Sequence, residues 1–280
     1  MSDAGDGETI TPLRSLPGGA GEAFVELVEV GGRRYVLKRS SPARAAGERQ
    51  FQLVLAAAGL PSLALARHPS LGAGDLLLEF VEGSPTLGGS PAPELCARWG
   101  AAVAAMHAIR TDGFLRLGSA GEIAPGSWSA FVERLIERAL AAGAAAELPA
   151  SLLETSARNL GELRGFAPTT FALVHGDLHV NNVLLRGDET VLFDKASRVW
   201  SCPPVFDLAL VYSEGFPGAR YGVSRPGDDA RLDAFLAAYG DLPDGEWLDH
   251  FGLAHSLIRY PHPFVPELRE IIDAALERLG

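Results

Sequence analysis

Hydrophobic and polar positions along this chain fall into two textures. From Leu13, short apolar runs alternate with polar residues: Phe24, Val25, Leu27 and Val28, then Tyr35, Val36 and Leu37. Each run fits a half-buried strand, and the "GG" at 31–32 between them is a hairpin signal. "ARAAGERQFQLVLAAAG" follows with helical spacing and is closed by Gly59 and Pro61. A further strand is expected in "DLLLEFVEG", residues 75–83. After Gly83 the texture becomes helical. "SPAPELCARWGAAVAAMHAIR" opens with Ser90 as N-cap and Pro91 at the first helical position. "SWSAFVERLIERALAAGAAA" and "SLLETSARNLGEL" continue the pattern, and further helices are predicted near 204–214, 229–239, 245–258 and 265–279. Residues 1–12 read as a flexible tail. The predicted class is α+β and bilobal: a small antiparallel-sheet lobe over 13–82, a hinge near 79–83, and a larger, mostly helical lobe over 83–280.

Composition narrows the function classes. A length of 280 residues suffices for a sizeable core. A formal net charge of -11 argues against nucleic-acid binding, which needs a basic face to displace counterions. It suits a cationic small substrate, and equally the solubility of the chain. No apolar run is long enough for a membrane span. The opening "MSDAGDGETI" lacks the features of a secretory signal. With Cys96 and Cys202 far apart, a reduced cytoplasmic protein is expected. Lysine occurs only at Lys38 and Lys195, the remaining basic residues being arginine. A site that keeps lysine against such a bias suggests a need for a compact ammonium.

The chemistry concentrates in "LVHGDLHVNNVLLRGDETVLFDKAS", residues 173–197, where ionisable and amide groups interrupt strand-forming runs. His175, Asp177 and Asn182 fit H-x-D-x-x-x-x-N, the kinase catalytic-loop pattern. Asp177 is placed to take a proton from an acceptor hydroxyl, and Asn182 to turn back toward a metal on phosphates. "NVLL" and "VLFD" predict a hairpin that returns Asp194 beside the same loop, where its carboxylate suits Mg²⁺. Taken singly, Asp177 and Asn182 read as turn residues and Asp194 as a strand-end cap; jointly they point to a site. His175 is expected to brace the loop. His179 is as well explained by loop packing.

These segments resemble the aminoglycoside phosphotransferase and choline kinase superfamily, whose fold is protein-kinase-like. "VHGDLHVNNVLL" is similar to its catalytic loop, and "LFDKAS" with "VFDLALVY" to its metal-binding segment and following helix. "LPGGAGEAFVELVEVGGRRYVLK" is similar to its nucleotide-covering hairpin and lysine-bearing strand. The resemblance implies ATP as donor, GTP being the alternative, with Mg²⁺ and a small-molecule hydroxyl acceptor. Lys38 would pair with the phosphates and Glu48 would hold Lys38. Gly18, Gly19 and Gly21 would admit the phosphates to backbone amides, and the backbone of Glu79 and Val81 would meet the adenine. Asp207 would cap the helix beginning at Leu208 and steady the loop. His107 reads as a satisfied buried histidine.

Three departures from the family pattern stand out. Asn181 replaces a usual glycine, and asparagine tolerates left-handed backbone. Lys195 follows Asp194 and is a candidate phosphate or acceptor contact, or a neutraliser of Asp194 and Asp177. Trp200 either lines the acceptor pocket or packs in the core. The leading acceptor is an aminoglycoside-like or other cationic aminosugar, to which Asp228, Asp229, Asp233, Asp241, Asp244, Glu246 and Asp249 would be complementary; each of these also reads as a solvated charge. Alternatives are a fructosamine- or choline-like metabolite and, from another class, a catalytically silent nucleotide-binding scaffold.

Overall fold

In the computed structural model the described residues are 2–3, 8–16, 24–82, 91–118, 121–195, 197–222, 227–242, 244–260 and 267–280. Gly18, Gly19, Gly21, the boundary glycine Gly83 and Ser90 lie outside them.

The N-terminal region is a six-stranded sheet built from β1 (Ser2–Asp3), β2 (Thr11–Ser15), β3 (Phe24–Val30), β4 (Arg33–Arg39), β5 (Leu65–Arg67) and β6 (Asp75–Glu79), in the order β1-β5-β6-β4-β3-β2. All pairings except β1–β5 are antiparallel. Gly31 and Gly32 turn the β3–β4 hairpin with φ of 57° and 71°, the double left-handed geometry that matches strand twist. The sheet is buried on both faces. Leu77 joins Val28, Val30, Tyr35 and Leu37 on one face, while Leu76 and Leu78 join Ala45, Leu63 and Leu65 on the other, as the two-residue period of a strand requires. Residues 11 and 12, assigned above to a tail, belong to β2, and Ser2–Asp3 pair with Ala66 and Arg67. β2 is exposed throughout. Edge pairing with β3 holds it rather than burial, so no apolar alternation announces it.

Helix α1 (Pro42–Ala57) packs between this sheet and the rest of the molecule. Ser41 caps its start by accepting from the Arg44 N–H. Ala45 faces the sheet, whereas Phe51 and Leu55 belong to the large C-terminal core.

That core gathers α2 (Pro93–His107), α3 (Trp128–Ala145), α4 (Ala150–Gly161), α5 (Val205–Leu210), α6 (Pro217–Tyr221), α7 (Asp228–Tyr239), α8 (Leu248–Arg259) and α9 (Leu268–Leu279). α2 starts at Pro93 behind Ala92, later than the Pro91 start expected from sequence. A π turn at Val211–Gly215 follows α5. A five-stranded sheet of β7 (Arg110–Thr111), β8 (Leu115–Leu117), β9 (Ile123–Pro125), β10 (Phe171–Leu173) and β13 (Val199–Cys202) lies within this region. The hairpin β11 (Val183–Arg186) and β12 (Glu189–Leu192) stands apart from it. α2 and α7 approach closely because Gly100 has no side chain: a Cβ there would lie 2.2 Å from the Phe235 carbonyl oxygen. Trp99 packs edge-on against Phe235 at the same crossing.

Candidate active site

β10 delivers the chain to the loop at 174–179, a 3₁₀ turn at Val180–Asn182 closes it, and the β11–β12 hairpin returns it at Asp194. The pairing of Val183 with Leu192 and the bond from the Phe193 N–H to the Asn182 carbonyl (3.1 Å) set Asn182 beside Asp194. Two residues take the left-handed backbone that the loop needs: Gly176 at φ 72° and Asp194 at φ 59°. A Cβ on Gly176 would also strike Ser197 at 2.4 Å. Asn181 is not among the described residues with positive φ. Its asparagine therefore answers no left-handed requirement.

Lys38 reaches over from β4. Its Nζ lies 2.6 Å from Glu48 Oε2 and 2.5 Å from Asp194 Oδ1, joining residues 156 apart in sequence. Burial alone would pull the Lys38 ammonium down, but Glu48 and Asp194 outweigh it and hold it above the ordinary lysine value. Burial likewise opposes ionisation of Asp194, and Lys38 overrides it, so its carboxyl lies below the usual range. Arg44 Nη2 sits 3.4 Å from the same Oδ1, and the Asp194 N–H donates to Glu48 Oε1 at 3.3 Å. Asn182 Nδ2 donates to the Asp177 carbonyl at 2.8 Å and approaches Asp177 Oδ2 at 3.4 Å.

The expected Mg²⁺ can be tested against these donors. Among the described residues no group of three or more His, Cys, Asp or Glu could hold a metal alone. Magnesium asks less of a protein when phosphates supply oxygens. With its Nδ2 turned to Asp177, Asn182 keeps Oδ1 free, and Asp194 keeps Oδ2 free, both among the described contacts. Two hard oxygen donors side by side fit the ion.

Asp207 organises the loop from beneath. Its carboxylate accepts from the N–H of His175 (2.6 Å) and of Gly176 (2.7 Å), and His107 Nε2 lies 3.4 Å away. The capping role is corrected: α5 begins at Val205, so Asp207 lies inside it and makes no cap. His107 is buried, its Nδ1 3.0 Å from the Tyr239 hydroxyl. His175 Nε2 donates to the Phe193 carbonyl at 2.7 Å, tying the loop to the segment before Asp194. Burial pushes His179 down to about 4.

Lys195 and Trp200 are buried, and the Lys195 ammonium is engaged by backbone carbonyls. Lys195 is 1% exposed and its three N–H bonds go to the carbonyls of Val174 (2.7 Å), His175 (3.0 Å) and Val199 (2.7 Å). Trp200, 4% exposed, packs its ring 5.7 Å from that ammonium. Lys195 braces the start of the loop through the Val174 and His175 carbonyls, and Trp200, on β13, belongs to the C-terminal core. Glu79 and Val81 lie at the end of β6: the Glu79 N–H bonds Ala64 within the sheet, and Val81 packs on the Leu76–Leu78 face.

A family model described as "Phosphotransferase enzyme family" matches residues 12–251. The chain belongs to the phosphotransferase enzyme family. Solved structures share its fold at low identity. A fructosamine-3-kinase from Thermobifida fusca described as putative superposes with a TM-score of 0.64 at 20% identity, covering 97% of this chain and 95% of the other. A thermostable mutant of aminoglycoside phosphotransferase APH(4)-Ia, in ternary complex with AMP-PNP and hygromycin B, gives 0.70 at 18%, covering 96% and 94%. Macrolide 2'-phosphotransferase MphH from Brachybacterium faecium gives 0.62 at 19%, also covering 96% and 94%. No curated protein matches.

Two residues of this phosphotransferase escaped the sequence reading. Arg259, at the end of α8, places Nη2 on Asp177 Oδ1 and Nη1 2.8 Å from Glu214 Oε2. Burial opposes the Asp177 charge, but Arg259 and the neighbouring histidines hold its carboxyl below the usual range. Burial pushes Glu214 up to about 7. Of the carboxylates weighed for a cationic acceptor, Asp249 is gripped by Arg220 at 2.7 and 2.8 Å and Asp228 by Arg231 at 2.9 Å.

Proposed function

We propose that this phosphotransferase moves the γ-phosphoryl group of ATP to a hydroxyl of a small molecule, an aminoglycoside-like or other cationic aminosugar being the leading acceptor. The observation that carries this reading is one run of contacts, Lys38–Asp194, Phe193–Asn182 and Asn182–Asp177, which links the four residues such a transfer requires. Lys38 aligns the phosphates, and Asn182 and Asp194 would hold Mg²⁺ through the oxygens left free among the described contacts. The ion, when bound, neutralises charge developing on the transferred group. Asp177 takes the hydroxyl proton as the acceptor oxygen bonds the γ-phosphorus and the bond to the bridging oxygen breaks, releasing ADP. Positioning and electrostatics carry most of the barrier reduction in such a reaction.

The ternary complex of APH(4)-Ia with AMP-PNP and hygromycin B, and that of spectinomycin phosphotransferase with ADP and spectinomycin, support the donor and acceptor classes. The engagement of Asp228 and Asp249 by arginines favours a second reading, a smaller metabolite such as a fructosamine- or choline-like compound, because those carboxylates are not free for a polycation. Asp177→Asn tests the central claim. It keeps the shape and removes the base, and is expected to lower transfer from labelled ATP by about 10²-fold or more. Undiminished turnover in the folded variant rejects the assignment.

A further inference from the structure

We propose that Arg259 is a positioning residue for Asp177, itself fixed by Glu214, so that one oxygen of Asp177 is anchored and the other is left to face the acceptor. The inference rests on the phosphotransfer reading above. Its basis is the division of labour at the Asp177 carboxylate. Oδ1 receives Arg259 Nη2, while among the described residues Oδ2 meets only Asn182 Nδ2, at 3.4 Å. His179 Nε2, 3.9 Å from Oδ1, is too distant to share that task.

Glu214 explains why Arg259 stays. Its side chain is 7% exposed, Oε2 holds Arg259 Nη1 at 2.8 Å, and Oε1 is buried with no hydrogen-bond partner among the described residues. A buried carboxylate with an unsatisfied oxygen is costly to folding. It sits on the π turn at Val211–Gly215, a local irregularity of the kind that recurs at functional sites. Its one described polar partner is Arg259. The cost is intelligible if Glu214 exists to hold the guanidinium. Two attachments through different nitrogens fix both the place and the plane of the fork, which an ammonium cannot do. Arg259 also ends α8, where a cation is favoured by the helix dipole. A guanidinium held through both terminal nitrogens orients Asp177 rather than acting as a latch that leaves.

The test uses the full chain with MgATP and water as acceptor, taking the turnover abolished by Asp177→Asn as the readout. Arg259→Ala is expected to lose about 10²-fold in kcat, as for a misplaced catalytic group. KM for ATP should stay within about twofold, since ground-state nucleotide binding is untouched. Guanidinium chloride at tens of millimolar, roughly a hundredfold below denaturing strength, should restore part of the loss in Arg259→Ala and nothing in wild type or Asp177→Asn. Arg259→Lys keeps the charge without the fork and should show the same kcat loss. Glu214→Gln should lose about tenfold. Wild-type or faster turnover in Arg259→Ala or Arg259→Lys overturns the inference, as does a loss that guanidinium does not relieve. If Asp177→Asn leaves wild-type turnover unchanged, the phosphotransfer reading falls first and takes this inference with it.

Discussion

Lys195 lies against three backbone carbonyls, two of them the Val174 and His175 carbonyls that begin the loop carrying Asp177. Burial pulls its ammonium down to about 8, yet its geometry explains why the cation is kept. Val174, His175 and Val199 would each lose a donor without it. Replacing it by methionine fills the space and leaves those carbonyls unpaired, at a typical cost of about 1 kcal/mol or more each. Lys195→Met is therefore expected to lower unfolding free energy by roughly 3 kcal/mol, measured by urea denaturation; a midpoint equal to wild type would refute the bracing role. At this scale the sequence exposes whatever is held by local spacing. Asp177 and Asn182 share a loop, and a predictable hairpin returns Asp194. Arg259 is 82 residues from Asp177 and reads only as a charge at a helix end. No local pattern marks its partner.

The elements follow the same logic. α1, α3, α4, α7 and α9 match the helical stretches in the sequence because each carries a repeating apolar face, whereas β7, only two residues long, has no room for alternation. α8 shows what the pattern leaves unsaid. His255, 6% exposed, donates from Nε2 to the Phe206 carbonyl at 3.1 Å and is pushed by burial down to about 4. Its unfolded value is near 6.5. Between those two values the unfolded chain binds more protons than the folded one, so stability rises with pH across that window and is lost as pH falls through it. The contribution of this one residue is on the order of 3 kcal/mol between pH 7 and pH 4. His255→Gln should flatten that part of the stability profile, read by denaturation midpoints at pH 7 and 4.5. An unchanged slope would show that His255 does not titrate on unfolding.

Across the whole molecule, α1 is the shared wall. The α+β class was legible in the sequence because two textures of hydrophobic pattern survive in the fold. The joint between them was not, since it is made by single polar side chains. Gln52, 1% exposed, donates to the Leu192 carbonyl at 2.9 Å and accepts from the Leu63 N–H at 2.7 Å. One end grips the hairpin that returns Asp194, and the other grips the segment entering the N-terminal sheet. Glu48, one helical turn earlier, holds Lys38 and the Asp194 N–H from the same face. Gln52→Leu keeps the volume and removes both bonds, leaving two buried backbone groups unpaired at about 1–3 kcal/mol each. In a chain of this size that lowers Tm by roughly 5–10 °C. Because Glu48 would lose its register against Asp194, the variant should also bind MgATP more weakly. A saturating ligand adds about 2.7 kcal/mol of stability at a hundred times its Kd, so the thermal shift given by MgATP should shrink in Gln52→Leu at a fixed nucleotide concentration. A variant that melts lower but keeps the full wild-type shift would mean that Gln52 stabilises the fold without aligning the site.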